Sequence, residues 1–414
     1  MDEIIVTARK VAETLQEAPV AISVVTSEQI ELTGASDLSD LTKRLPNVAA
    51  NYPSADPLQN VTAIRGFVTG ARNIGFDSGL GIFIDGAYAG RIATGNKTLP
   101  DVERIEFLPG PQATLFGKNT TLGVMNVVPK KPGDELEANA SVSAGNMGLL
   151  ESRASVRGPI GETFGAGFTF GSRQHDGFIR NQFDGSLGPE FESYGGVFQL
   201  TAESDAFNAH FMVDYNDQNY ENAYFDSRIG GFDALPIDTI DNNFPNVATA
   251  EELGVTLTWT WELGPGTLTS ISGLRNFDTE RSHDDEYYDF SVIDLEFFDE
   301  SQDHFGQELR YAGTAGALGY LFGAYYQTQQ IESLRSADVF GLSPELRVIG
   351  RVDTDALAVF GNLTYDLTDR FAVELGGRWS EETKKLRTYT QSGSAPIGLL
   401  EFTVEDFVAD GVLD

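Results

Sequence analysis

The sequence predicts a small α+β region at the N-terminus followed by an antiparallel transmembrane β-barrel. Three observations predict the barrel. Apolar and polar residues alternate with a period of two after Asp134. The alternating runs are about ten to thirteen residues long, near the ~9–11 that cross a bilayer and longer than the usual ~5–6. Tight turns also take turns with long polar connections, and a soluble sandwich has no reason to sort its loops by parity.

The first region runs to Gly133 and is nearly neutral, with 12 Lys+Arg against 14 Asp+Glu. Met1 is followed directly by Asp2 and Glu3, without a basic or apolar leader, so the start reads as processed or trimmed. Ser27-Glu28-Gln29-Ile30 is expected to start a helix, and Ser36 to Leu41 a second that ends before Pro46. Short β runs follow at Gly81 to Gly86 and Val102 to Phe107. The Pro/Gly/Lys stretch Val127 to Asp134 separates this region from the rest.

The remainder carries 16 Lys+Arg against 48 Asp+Glu. Leu253, Val255, Leu257, Trp259, Trp261 and Leu263 share one strand face, and Gly254, Thr256, Thr258, Thr260 and Glu262 the other. Phe371, Val373, Leu375 and Trp379 alternate in the same way. Eleven strands are expected, beginning near Glu135, Leu149, Phe164, Glu192, Ala206, Glu252, Thr267, Ser301, Ala317, Asp355 and Arg370. Tight turns fall near Pro159-Ile160-Gly161, Ser204-Asp205, Gly264-Pro265, Thr314-Ala315-Gly316 and Thr368-Asp369. Long loops are expected over Asp176–Phe191, Gln218–Glu251, Arg281–Glu300 and Glu332–Thr354. The odd count leaves Glu382 to Asp414 as a surface loop that does not return, which marks a partial chain, because an open sheet edge is prohibitive in lipid.

Composition excludes several classes. The chain has no Cys, which removes disulfides, thiolate zinc sites and cysteine nucleophiles. A net charge of −34 argues against nucleic acid as a partner. No apolar run approaches the ~18 residues of a membrane helix. His175, His210, His283 and His304 lack zinc spacing, and the acidic run from His283 to Glu300 lacks an EF-hand order, so no metal site is expected. No G-x-S-x-G elbow or phosphate loop is present, so the chain reads as a non-enzyme without a cofactor. Trp259, Trp261 and Trp379 read as interfacial girdle residues.

Several segments of the first region then match one family. Glu3-Ile4-Ile5-Val6-Thr7-Ala8 resembles the TonB box of TonB-dependent outer-membrane receptors. Ile64-Arg65-Gly66 and the stretch from Gly81 through Asp85-Gly86 to Arg91 resemble that family's plug motifs. The longest match runs from Asp101 through Glu103-Arg104, Gly110, Gln112 and Gly117 to Asn126 and Pro132. Any one piece is weak, but their order over about 130 residues is a strong signal. Three positions depart from the family pattern: Pro109 where Arg is usual, Leu122 where Gly is usual, and Pro129 where Thr is usual. The missing Arg implies that its pairing with the barrel wall has moved to Arg104 or that the plug is held less firmly.

The resemblance implies a TonB box and N-terminal arm over 1–10, a plug over 11–133, and the N-terminal half of a barrel over 134–414. The barrel would hold about 11 of an expected 22 strands. The arm would be mobile and would add a strand to TonB of the inner-membrane energising complex. Gly66, Gly86, Gly110 and Gly117 are expected to serve tight turns and close backbone approach. Ligand contacts are expected from loops at Thr69–Ser78 and Tyr88–Thr98, through Arg72, Phe76, Tyr88, Arg91 and Lys97. The implied activity is energy-coupled import of a scarce small-molecule ligand across the Gram-negative outer membrane, with outer-membrane lipid around the barrel. Ferric siderophore is the leading cargo, with cobalamin, glycans and other organic molecules open. A signal-transducing receptor would carry an extra domain before the TonB box. A non-transporting fragment, binding at most, is the remaining alternative.

Overall fold

The computed structural model describes residues 4–7, 9–11, 13–16, 18–33, 45–51, 61–69, 73–90, 101–222, 239–240, 246–284, 293–339, 342–368, 370–392 and 395–403. The first elements are short. β1 (Ile5–Val6) pairs antiparallel with β2 (Glu13–Thr14). β3 (Ser23–Thr26) leads into α1 (Ser27–Thr33), whose start is a reciprocal cap. Gln29 N–H donates to Thr26 Oγ1 at 3.4 Å, and Thr26 N–H donates to Gln29 Oε1 at 3.2 Å. The second expected helix, Ser36 to Leu41, lies outside the described residues.

β4 (Val48–Asn51), β5 (Val61–Ile64) and β6 (Phe67–Thr69) form a small sheet of their own. β7 (Leu80–Ile84), β8 (Ala87–Tyr88), β9 (Val102–Pro109), the short helix α2 (Ala113–Phe116) and β10 (Gly123–Pro129) follow. With β3 these strands make a five-stranded sheet in the order β3-β9-β10-β7-β8, in which only β10 and β7 run parallel. Ile64, Leu80, Ile82, Ile105, Phe107 and Met125 are fully buried on one side of it. Each such side chain contributes roughly 1.5–3 kcal/mol by burial. The other side of the sheet is also apolar, and Val6 of the arm packs there with Phe83, Leu108 and Val124.

The larger part begins with β11 (Glu137–Ala144), β12 (Leu150–Ile160) and β13 (Phe164–His175). β14 (Ile179–Asn181) and β15 (Leu187–Gly188) branch off before β16 (Glu190–Glu203) and β17 (Phe207–Glu221). β18 (Thr239–Ile240) joins β14 and β15 in a three-stranded side sheet. β19 (Val247–Leu263), β20 (Gly266–Asp284), β21 (Ile293–Ala315), β22 (Leu318–Val339), β23 (Leu342–Thr368), β24 (Phe371–Ser392) and β25 (Ala395–Thr403) complete the series. Twelve of these strands form one antiparallel sheet in which each pairs with the next along the chain, with β11 and β25 at its edges.

The two faces of this wall have opposite chemistry. Leu253, Leu257, Leu274, Leu309, Leu357 and Val359 point outward and are 38–52% exposed. The inward row is polar and buried, including Gln199, His210, Thr256, Arg275, Gln302, Glu308 and Thr354. A soluble sandwich would bury the apolar row. A barrel in lipid does the reverse, with an apolar exterior and a polar lumen. Aromatic side chains gather near the tight turns, where Phe207 stacks on Trp259 at 6.3 Å and Tyr311 lies 5.8 Å from Tyr320. That placement fits an interfacial girdle.

Two expectations are corrected. The sheet has twelve strands rather than eleven, because the chain turns back after Ser392 and Ala395–Thr403 pairs with β24. The strands are also longer than the alternation shows, reaching 27 residues in β23. Most of Glu332–Thr354, read as a loop, belongs to β22 and β23, which pair up to Val339↔Leu342. Ile331, Ser333, Val352 and Thr354 stay buried on the inward face there, but apolar and polar side chains stand on both faces, so the hydropathy period is lost while the backbone ladder continues.

Candidate functional site

The arm is docked rather than free. Leu15 N–H donates to the Ile4 carbonyl at 2.9 Å, and Val6 is fully buried against the central sheet. The β-branched run that favours an extended chain therefore also supplies an apolar side chain for the open face of β9. Glu3 and Ala8 lie outside the described residues.

Thr7 is held by a carboxylate that the sequence alone does not single out. Its N–H donates to Glu106 Oε1 at 3.2 Å and its hydroxyl to Glu106 Oε2 at 3.1 Å. Glu106 is 1% exposed and also accepts from Arg104 Nε at 2.8 Å and Asn126 Nδ2 at 3.4 Å. Arg104 is thereby spent within the N-terminal region, on Glu103 and Glu106. Among the described residues, then, Arg104 pairs inside the N-terminal region and not with the wall, unlike the first alternative for the missing Arg at Pro109.

Other residues tie the N-terminal region to the wall. The Lys10 ammonium is buried and pairs with Glu308 of β21, and its Nζ sits 5.2 Å from the ring centres of both Phe116 and Phe360. Burial lowers its pKa to about 8, partly offset by Glu308. Asp85 is bonded to His210 Nδ1 at 2.7 Å and paired with Lys131 at 3.2 Å. Asp101 meets Arg157 at 2.5 Å. Asp77 lies between Lys118 at 3.5 Å and Lys384 at 3.0 Å, and Lys118 also reaches Glu382.

The motif glycines serve geometry. Gly86 has φ +81° after Asp85 at φ +47°, which turns β7 into β8, while its N–H donates to Asn126 Oδ1 at 3.2 Å. Gly117 has φ +83° and ψ −148°, a conformation that favours glycine, and it ends α2 beside the Arg378 guanidinium of β24. Gly66 and Gly110 also have positive φ, and Arg65 approaches Gly110. Ile64 is core, Arg65 is exposed, and Gln112 precedes α2.

The expected ligand residues separate. Phe76 is 72% exposed in the segment whose neighbours Ile74 and Asp77 meet β22–β24 at the end away from the tight turns. Tyr88 is buried instead, with Asn119 Nδ2 donating to its hydroxyl at 2.7 Å and His304 edge-on at 5.4 Å. It is a contact between the N-terminal region and the wall, not an exposed loop tip. Arg72, Arg91 and Lys97 lie outside the described residues. Among the described residues no three His, Asp or Glu side chains gather as a metal site.

Known proteins match this arrangement. The family model described as TonB-dependent Receptor Plug Domain matches residues 14–124. The pesticin receptor of Yersinia pestis is 26% identical over 422 residues, covering 95% of this chain and 58% of that protein. Residues 14–124 thus match the plug domain of TonB-dependent receptors, and the chain is similar to such receptors over most of its length. The vitamin B12 transporter BtuB of Photobacterium profundum is 28% identical over 185 residues, 43% of this chain and 28% of that protein. Among solved structures, the ferric yersiniabactin uptake receptor FyuA of Yersinia pestis superposes with a TM-score of 0.81 at 21% identity, covering 93% of this chain and 61% of that one. The siderophore receptor PiuA of Acinetobacter baumannii gives 0.74 at 16% identity, covering 97% and 63%. At those identities the superpositions speak to the fold. The chain spans a little over half the length of the pesticin receptors it matches, 55–58%. Residues 14–124 match that plug domain, and the twelve-stranded sheet has the fold of the barrel wall in those structures.

Proposed function

We infer that this chain supplies the plug and part of the wall of an outer-membrane receptor that imports a scarce extracellular ligand by energy-coupled displacement of plug residues. The observation that carries the reading is the position of the arm. Ile4–Thr7 hangs from the plug beside the tight-turn end of the wall, which in outer-membrane barrels faces the periplasm. Phe76 is presented toward the other end. Ligand capture and energy input would thus act on opposite ends of one plug, and no bond is made or broken.

TonB is the partner proposed for the arm. Ile5–Val6 pairs with only two residues of β2, so a strand of TonB could replace Glu13–Thr14 and grip the main chain once Val6 leaves the sheet and Thr7 leaves Glu106. Ferric siderophore is the proposed cargo, supported by relatives described as pesticin, ferric yersiniabactin and siderophore receptors. Cobalamin is the second reading, supported by the match to a vitamin B12 transporter. The test is Ile5→Pro, which deletes an N–H donor and fixes φ. With ferric yersiniabactin as the first probe, it is expected to abolish energy-dependent uptake and leave surface binding intact. Unchanged uptake in that variant would remove the coupling role.

A further inference from the structure

A cavity of about 420 Å³ is set into the outward face of the wall across β19–β22. These four strands are paired on both sides and lie away from the edges of the sheet. Two lateral rows of the ladder cross the cavity. Nearer the tight turns stand Val255, Leu274 and Phe305, and in the next row Leu253, Asn276, Asp303 and Gln330. Leu253 and Leu274 are 43% and 52% exposed, as expected of side chains that face lipid. Leu253 lies about ten residues from the Gly264-Pro265 turn, so the cavity sits where a ~9–11-residue strand completes its crossing. That is the outer-leaflet end of the wall.

The row beyond forms an acidic rim. Glu251 is paired in register with Asp278 on one side and with Asp217 on the other. Like charges directly opposite one another destabilise a sheet. Their described partners are neutral: Glu251 accepts from the Tyr215 hydroxyl at 3.1 Å, and Asp303 from Asn276 Nδ2 at 3.0 Å. Among the described residues no Lys or Arg pairs with Asp217, Glu251, Asp278 or Asp303. Arg275 also borders the cavity, but its guanidinium turns inward to Asp214 at 2.5 Å and Glu252 at 3.4 Å. On the outward face a cation stands past the opposite rim, where Arg351 of β23 donates to Gln330 at 2.6 Å. The surface therefore passes from hydrocarbon to carboxylate over about 13 Å of β19, with positive charge to one side.

We propose that this groove seats one outer-leaflet phospholipid whose zwitterionic headgroup ends in a primary ammonium. Its acyl chain lies against Val255, Leu274 and Phe305. Its ammonium, with three N–H donors, meets Asp278 and Asp303 and relieves their crowding with Glu251. Its phosphate is turned toward the Arg351 side. An anionic headgroup without the ammonium would add to the repulsion instead. Such a site requires the wall to stand in a bilayer and is independent of cargo and of TonB.

The test uses the full chain in phosphatidylcholine vesicles, carrying Trp259→Phe, Trp261→Phe and Trp379→Phe so that one introduced tryptophan reports alone. Phe305→Trp reports on the groove. Phe168→Trp reports on a lipid-facing position whose partners across β12 and β16 are Val156 and Phe198. Lipids brominated on the acyl chain are added with either an ethanolamine or a glycerol headgroup, and quenching gives their relative affinities. At Phe305→Trp the ethanolamine lipid is expected to bind roughly threefold more tightly, the scale of one or two exposed ion pairs. At Phe168→Trp the two lipids should quench equally. Glu251→Gln, Asp278→Asn and Asp303→Asn together should abolish the preference, and Asp303→Asn alone should lower it part of the way. Equal quenching at Phe305→Trp, the same preference at Phe168→Trp, or a preference that survives both the triple and the single variant overturns the site. Absence of quenching at Phe168→Trp by either lipid overturns the barrel reading as well.

Discussion

In the plug the buried set is Ile64, Leu80, Ile82, Ile105, Phe107 and Met125, whereas in the wall the fully buried inward set includes Thr256, Arg275, Gln302 and Thr354. The plug obeys the rule of a water-soluble domain and the wall inverts it. The same solvent cannot lie outside both. A polar-surfaced plug needs a polar container, and the inward row of the wall provides one, with Gln302 Nε2 donating to the Ala89 carbonyl at 3.4 Å. The outward row then needs a hydrocarbon surround, because water would leave the row from Leu253 to Leu263 without a partner.

That contrast can be broken at either side. The largest expected effect is in the plug: Phe107→Ala removes a fully buried ring from the sheet and should cost about 3–5 kcal/mol. Urea unfolding of the plug, followed by loss of protease resistance, would measure it. On the wall, Leu257→Arg points a charge into lipid and should cost about 2–4 kcal/mol in folding from vesicles, if Leu257 lies near the bilayer midplane. Thr258→Ser, its inward neighbour, should cost under about 0.5 kcal/mol. Comparable losses from the two wall variants would erase the distinction between faces.

The link between plug and arm gives a smaller effect. Glu106→Gln keeps the shape but weakens a charge-assisted clamp on Thr7, and should cost the docked arm about 1–2 kcal/mol. Hydrogen exchange at Ile5 to Thr7 should rise by roughly tenfold, while exchange in β9 stays protected. Equal loosening of both would mean that Glu106 supports the sheet rather than the arm.

Acidity should sharpen the same contrast. Burial pushes Asp77 and Asp85 up, but Lys118 and Lys384 around the first, and Lys131 and His210 around the second, outweigh it and hold both below the ordinary value of 3.8. A depressed carboxylate contributes stability that is present above its ordinary value and lost as pH falls through its native one. Plug retention should therefore be flat from neutral pH to about 4 and weaken below it. Protease accessibility of the plug across that range is the check, and Asp85→Asn should remove part of the acid dependence.

The sequence carried the β19 face from Leu253 to Leu263 because lipid and lumen impose opposite polarity on neighbouring residues. It did not carry the upper reaches of β21–β23 or the pairing of β25, where the sequence loses its hydropathy period and only the backbone ladder marks the strand. Within the plug, the positive φ at Gly86 and Gly117 follows from turns that the motif places. The partnership of Lys10 with Glu308 does not, because the two are 298 residues apart and meet only once β21 has been laid against the N-terminal region. Glu106 stood inside the longest motif, yet its hold on Thr7 depends on β9 lying under the arm, which spacing along the chain does not reveal. The burial of Tyr88 is not legible for a related reason: an aromatic residue after a turn reads as a loop tip, and the wall residue His304 that covers it is over 200 residues away.

The inversion itself can be measured most directly by nitroxide labels placed singly from Thr249 to Leu263 on β19 in a lipid bilayer. The account predicts a period of two in collision with dissolved oxygen, with Leu253, Val255, Leu257 and Trp259 accessible and Gly254, Thr256 and Thr258 shielded. The opposite phase, or no period at all, would contradict it.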